Sequence, residues 1–388
     1  MKKLSLIPII TFIALVSCNN TSKNESQNNT IAKDSTINAV MPYDTFSYNA
    51  YDEIAHFLAG VNYKDSTGIF NKTFDNTAWQ TYSSDFTNQW AQFDKEVLDI
   101  VRSWSSEHLT HTDSMFYPFS GPDFNYLNAL FPNTRYSVLI GLEKPGNIPD
   151  IANFTDNQIA SFLNELRNSI FFNVEYSYFR TKGMAKELNS ELLDGTIPLI
   201  MLFMKRHGFE ILNIYPVSIN PEGWLKADSL GQIFNKDYNK TFENGVSFIY
   251  KDPNEAKTRE LVYLSMDISN GAIDTTQFDK FFTHYITGKT CFLKAASYLC
   301  HMPEFQIITD HILNKSKQIV TDPSGMPYRN FDSTWNVTIH GNYVGPINLF
   351  WGRMQTDLRD TCKNRGNENL PFHFGYHYNQ WCLIDAKK

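Results

Sequence analysis

Four short runs hold the side chains with the most chemistry to offer, and each follows a stretch that reads as a buried strand. Ser120, Gly121 and Asp123 come after Met115–Phe119, and Glu143 comes after Tyr136–Leu142. Ser297, Tyr298 and His301 end the run that starts at Thr290, while Asp322 and Ser324 follow Gln318–Thr321, with Tyr328 and Arg329 beyond. In open parallel sheets the ligand crevice lies outside the carboxyl ends of the strands. Ser120, Gly121, Asp123, Glu143, Ser297, Asp322 and Ser324 are therefore the candidate ligand-binding residues. Their hydroxyls and carboxylates suit a small polar or polyhydroxylated ligand, although turns recruit Gly, Pro, Asp and Ser on their own account. A nucleophile, base and oxyanion-donor set cannot be picked out, so binding is the expectation and catalysis is not assigned.

An envelope hydrolase of esters or glycosides is the alternative. Ser120 stands between a strand and a helix, loosely as in a nucleophile elbow, but Phe-Ser-Gly-Pro lacks the first glycine of Gly-x-Ser-x-Gly, and Pro122 removes a backbone N–H. The paired carboxylates of a glycosidase are defined by separation in space, which sequence does not give. His373 and His377 are four apart, a spacing that binds zinc on a helix. The intervening Phe-Gly-Tyr favours strand or loop, so these histidines are read as structural and no metal is expected.

The elements that must position these residues follow from apolar spacing. Met115–Phe119 reads as a strand, with Gly121 as a helix cap and Pro122 in the first turn. Phe124, Leu127 and Phe131 mark the helix face, Pro132-Asn133 stops it, and Tyr136–Leu142 is a nearly continuous apolar strand. Thr290–Ser297, Pro303–Asn314 and Gln318–Thr321 give a second strand, helix and strand. Helices are expected around 50–58, over 77–109, over 155–172 with Thr155 as N-cap, over 176–193, over 197–206 and over 277–286. Phe209–Ile219, Gly245–Tyr250 and Arg259–Ile268 read as antiparallel strands, and Trp335–Phe350 as one or two more. The expected class is α/β: a mostly parallel, Rossmann-like sheet over 111–388 with helices on both faces, some antiparallel strands, and a helical cap over 41–110.

Lys2 and Lys3 precede an apolar run from Leu4 to Val16, and Leu15-Val16-Ser17-Cys18 closes it. The run is shorter than the roughly 20 residues of a membrane span and reads as a signal peptide over 1–17. Leu-Val-Ser-Cys resembles the lipobox of bacterial lipoproteins, which implies acylation of Cys18 and a membrane anchor through its lipid. Asn19 stands where an aspartate would favour inner-membrane retention, so that resemblance implies the outer membrane. Residues 18–40, rich in Asn, Ser, Thr and Lys, read as a disordered tether. The remaining chain, with 42% hydrophobic and 15% aromatic residues overall, can fill a sizeable core. The formal charge is −7, and removing residues 1–17 takes away two lysines and no acids, leaving −9. Without a Lys/Arg run, nucleic acid is not expected as a partner. Cys291, Cys300, Cys362 and Cys382 remain, either buried as thiols or with Cys362 and Cys382 closing the C-terminal segment.

The order strand, Ser-Gly turn, helix and strand ending in an acid, with a later His-x-Pro-Glu-Phe, is similar to Rossmann-like S-adenosylmethionine-dependent methyltransferases. That resemblance gives Glu143 the role of holding ribose hydroxyls. The glycine-rich turn is reduced to Gly121, Asp123 already complements the helix dipole, and the lipobox directs the chain away from that cofactor, so no cofactor is expected. Tyr117–Phe124 and Ala295–Leu299 also resemble segments of an uncharacterised family of Bacteroidota-type lipoproteins, which names no reaction.

Overall fold

In the computed structural model the described residues are 50–63, 71–176, 178–179, 187–228, 245–273, 275–366, 369–376 and 381–388. The chain divides into Met1–Phe46 and Ser47–Lys388, and every described residue belongs to the second unit. The signal peptide, Cys18, the tether and His377 lie outside the described residues.

Helices α1 (Ala50–Leu58), α2 (Asn71–Phe74), α3 (Thr77–Phe93) and α4 (Asp99–His108) come first, with a π-helical turn at Asp94–Leu98 joining the last two. Asn76 caps α3 by accepting from the N–H groups of Ala78 and Trp79. Then follow β1 (Ser114–Tyr117), α5 (Phe124–Leu130), β2 (Tyr136–Gly141), α6 (Asp156–Tyr176) and α7 (Ile197–Arg206). Thr155 and Gln158 form a reciprocal capping box at the start of α6. Next are β3 (Glu210–Ile219), β4 (Leu225–Ala227), β5 (Gly245–Lys251), β6 (Arg259–Ser265), α8 (Thr275–Ile286), β7 (Thr290–Leu293) and α9 (Gln306–Lys315). The last are β8 (Gln318–Thr321), β9 (Asn336–Asn342), α10 (Thr356–Arg365) and β10 (Trp381–Lys387).

The strands form one sheet in the order β4-β3-β5-β6-β2-β1-β7-β8-β10-β9. Its centre, β6-β2-β1-β7-β8, is parallel throughout. Both wings are antiparallel. Numbered by chain order, the parallel five run 3-2-1-4-5 and reverse direction between β1 and β7. Right-handed crossovers then require helices on opposite faces either side of that seam. Side-chain alternation separates the two cores: Tyr117, Leu139, Phe292 and Val320 join the cluster under α1 and α3–α7. Phe116, Val138, Ile140, Cys291 and Ile319 join the one under α8 and α9. A small third cluster holds Leu358 and Cys362 of α10 against Ile339, Cys382 and Ile384. All four described cysteines are buried free thiols, and Cys362 and Cys382 share a hydrogen bond rather than a disulfide.

Several expectations are corrected in detail. The cap of α5 is Asp123, whose carboxylate accepts the Tyr126 N–H, because Gly121 has left the helical path at φ 54°. Beyond Tyr178–Phe179, residues 188–194 form turns around an isolated bridge between Asn189 and Asp194, so the expected helix over 176–193 does not continue there. Strand β6, expected in an antiparallel group, also pairs in parallel with β2 along its whole length. Of the one or two strands expected within 335–350 one forms, as β9, and a 3-10 segment over Asn348–Arg353 follows it.

Asp52 ties α1 to the rest of this body. Its carboxylate accepts from Lys205 Nζ at 2.8 Å and from the Ile211 N–H at 3.0 Å, with His56 Nε2 at 3.4 Å. Burial pushes this carboxyl up, but His56, Lys205 and Ile211 together outweigh it and the net pKa lies below its ordinary value. An acid held low in the fold stabilises above its unfolded pKa, and that contribution fades as pH falls through the folded value. Asp52→Ala should cost about 3–5 kcal/mol in urea unfolding at pH 7, because it leaves Lys205 buried without its partner. The deficit against wild type should narrow below about pH 4, the ordinary aspartate range; an equal deficit at pH 7 and pH 3 would contradict this role.

Candidate functional site

The seven residues chosen from sequence all lie at the carboxyl edge of four neighbouring parallel strands, β2-β1-β7-β8. They divide into a buried floor and an accessible rim. Asp123, Asp322, Ser324 and Ser120 are buried, whereas Gly121, Glu143 and Ser297 are partly open to solvent.

The floor is built around Lys294, the residue at which the chain leaves β7. Its side chain is 1% exposed and meets the 2%-exposed side chain of Asp123 at 2.7 Å, across the β1/β7 seam. The ammonium also stands 4.3 Å from the centre of the Tyr126 ring. Asp123 accepts from Lys294 and from the Tyr117 hydroxyl on Oδ2, and from the Tyr126 N–H and the Asn173 amide on Oδ1. All four acceptor positions of the carboxylate are thus used. Burial, together with the Asp123 charge, raises the Tyr117 phenol well above its usual range. The network continues from Asn173 to Asn125 and on to His207, whose Nε2 lies 3.0 Å from Asn125 Oδ1 and whose Nδ1 lies 3.0 Å from Asn128 Nδ2. Burial and the nearby Arg102 hold His207 down at about 3, so at neutral pH it is an uncharged link.

Asp322 forms the other half of the floor. Ser324 Oγ donates to both carboxylate oxygens, at 2.9 and 2.8 Å, and the Ala295 N–H donates to Oδ1 at 3.1 Å. Burial pushes its carboxyl up to about 6, against the opposing pull of Ser324, Lys294 and Ala295. Gly375, at φ 78°, packs its backbone on this carboxylate, and a Cβ there would collide with Oδ2. Tyr376 follows and closes the corner, its hydroxyl donating to the Ala295 carbonyl at 2.9 Å and lying 2.7 Å from Ser297 Oγ.

On the other side of the seam Glu143 overhangs the β1 turn. A Cβ on Gly121 would lie 3.8 Å from its Oε2, and one on Gly141 3.0 Å. Tyr263 fixes the loop by donating to the Glu143 carbonyl at 2.7 Å. Burial raises the Glu143 carboxyl above its ordinary value, with backbone hydrogen bonds opposing. The Ser120 hydroxyl is bonded to the Gly121 and Ile140 carbonyls rather than to a base, so the turn that resembles a nucleophile elbow acts as a backbone clip.

The four non-glycine residues with positive φ among the described residues are Phe119, Ala295, Ser297 and Tyr298, at φ 61°, 51°, 53° and 58°. All four stand directly beyond β1 or β7, at the point where strand order reverses. Sequence reading missed Lys294, Tyr117, Asn173 and Tyr376. The signal for Lys294 was a single cation at the end of an apolar run, whereas Asn173 and Tyr376 arrive from distant segments and leave no local trace. Among the described residues no group of three or more His, Cys, Asp or Glu side chains is placed to hold a metal. Comparison with known protein families, curated proteins and solved structures finds no match to this chain.

Removing Asp123 leaves a buried ammonium, and removing Lys294 leaves a buried carboxylate. Asp123→Ala and Lys294→Met should each cost about 3–5 kcal/mol, and the double variant distinctly less than their sum. Urea unfolding of the four proteins measures this; additive losses would mean the pair is not coupled.

Proposed function

We propose that this protein is an exported lipoprotein, acylated at Cys18 and anchored in the cell envelope at the outer membrane, that binds a small polar ligand in the crevice at the β1/β7 seam. The observation that carries the binding reading is the set of four left-handed, non-glycine residues at that seam. Each such conformation costs on the order of 1–3 kcal/mol, and strain of this kind collects where a site must be held in shape. In this reading Gly121, Glu143 and Ser297 touch the ligand, and Asp123, Lys294, Asp322 and Ser324 are the fixed floor beneath it. Gly121 lets a ligand approach the backbone closely, and Glu143 and Ser297 offer hydrogen bonds from opposite sides.

The envelope address rests on the Leu15-Val16-Ser17-Cys18 motif behind a basic, then apolar, leader. Metabolic labelling with a fatty-acid precursor should mark the wild type and leave Cys18→Ala unlabelled; equal label in both would remove the anchor.

For the crevice, a thermal-shift screen of the full-length protein in detergent should include glycans, peptidoglycan fragments, nucleosides and metal ions. A ligand of the folded state raises the melting temperature by mass action, with stabilisation RT ln(1 + [L]/Kd), about 2.7 kcal/mol at 100 times Kd. Glu143→Gln and Ser297→Ala should each reduce that shift while leaving the unliganded melting temperature nearly unchanged. A shift that survives both substitutions would place the ligand elsewhere.

A further inference from the structure

Beyond β8, three segments meet around the carbonyl of Pro323. Gln355 Nε2 donates to that carbonyl at 2.7 Å, and Gln355 Oε1 accepts from the Tyr328 N–H at 2.8 Å. The His301 ring is also hydrogen-bonded to the Pro323 carbonyl. Arg329 directly follows Tyr328, and Arg353 stands two residues before Gln355, so this clip brings both arginine-bearing segments to the corner occupied by His301. His301 is packed against Tyr298 with ring centres 4.9 Å apart, and Tyr298 is the last of the left-handed residues beyond β7.

This corner is positive in an acidic protein. Both arginines are exposed, and among the described residues neither guanidinium has an ion-pair partner. Among the described residues, the charges that bear on His301 are those of Arg329 and Arg353. Among the described residues no group hydrogen-bonds the buried His301 Nε2. A buried polar atom left without a protein partner is uncommon. Beside the cations runs an aromatic wall. Phe350 lies 5.0 Å from Tyr298 and 5.2 Å from Tyr376, and Tyr178 continues it 4.9 Å from Tyr376. The Tyr376 hydroxyl in turn touches Ser297 of the rim.

We propose that this corner seats the anionic group of the ligand, and that the ligand is a soluble phosphate monoester whose sugar or ring lies along Ser297, Phe350 and Tyr376. The inference rests on the reading of the crevice given above and adds its ligand class. Two guanidiniums carried to one corner by separate loops favour an acceptor with more oxygens and more charge than a carboxylate. A phosphoryl group presents three terminal oxygens and close to two negative charges, against two oxygens and one charge for a carboxylate. The formal charge of −7 would repel such an anion elsewhere on the surface, so two uncompensated cations are what admits it here.

Calorimetric titration of the full-length protein with phenyl phosphate, with neutral phenyl glucoside as control, tests the proposal. Saturable binding of the phosphate alone is the expected result. Arg329→Gln and Arg353→Gln should each weaken it at least tenfold, and Arg353→Lys less than Arg353→Gln. Both side chains are exposed, so circular dichroism and the unliganded melting temperature should match wild type and exclude misfolding as the cause. Sedimentation with phosphatidylglycerol vesicles, against phosphatidylcholine, separates the other source of the same chemistry. Capture by the anionic vesicles without any binding of phenyl phosphate would overturn the soluble-monoester assignment. So would phosphate binding that is unchanged in the Arg329→Gln/Arg353→Gln double variant. If neutral ligands give Glu143-dependent thermal shifts while phosphate does not bind, the crevice stands and the anion seat falls.

Discussion

A lysine ammonium and an aspartate carboxylate meet at 2.7 Å between the two halves of the sheet, both almost wholly removed from water. Desolvating such a pair is expensive, and Coulomb attraction offsets the cost only where the remaining lone pairs and protons are also satisfied. Here they are, because Asp123 simultaneously caps α5, accepts from Tyr117 of β1 and holds Asn173 of α6. One carboxylate therefore fixes a strand, two helices and, through Lys294, the start of the loop beyond β7. The sharp left-handed turns at Ala295, Ser297 and Tyr298 follow directly on this anchored residue. Were the pair replaced by apolar groups, the sheet would lose little, but the loop geometry would lose what sets it.

Much of the frame was legible because it depends on local patterning. Both β-α-β units, Thr155 as the N-cap of α6 and the helices at 50–58 and 197–206 follow from apolar spacing, caps and stop residues, which act over one or two turns of chain. The pairing of β6 was not legible, since a strand bonded on both edges carries the same apolar residues whether its neighbours run parallel or antiparallel. Helix α10 escaped notice because TDLRDTCKNR buries only Leu358 and Cys362, too few apolar positions to set a period. For the candidate site, sequence placed seven residues on one edge of the sheet, because turns after parallel strands are where polar residues gather. It did not separate floor from rim. That distinction depends on partners such as Asn173, Tyr376 and Gly375, which approach from far along the chain.

The separation into floor and rim also assigns different physical tasks to similar carboxylates. Asp123 stays fully hydrogen-bonded and acts as a structural ion. Asp322, pushed up to about 6, sits where a modest change of surroundings alters its protonation, and its carboxylate accepts from Ser324 and Ala295. Glu143 is the carboxylate of the three that reaches solvent, and its raised pKa reflects a partly dry overhang above glycine backbone. Of the three acids on this edge, Asp123 and Asp322 are equally buried and differ in their partners, an ammonium for one and a serine hydroxyl for the other, and Glu143 is set apart by its exposure.

The position of β10 has a consequence for how the molecule assembles. It is synthesised after β9 but lies between β8 and β9, antiparallel to both. As the chain emerges from the ribosome, β8 must wait with an open edge, and β9 has no strand to join until the residues after 380 arrive. The parallel core can form early around β1, β2, β7 and β8, while the outer wing closes in a final step of long sequence separation. An unpaired edge during that interval is a template for pairing with another chain. Interrupted synthesis or proteolytic loss within 381–387 would therefore leave β8 and β9 with open edges, which makes this outer wing the natural place to look for the origin of aggregation.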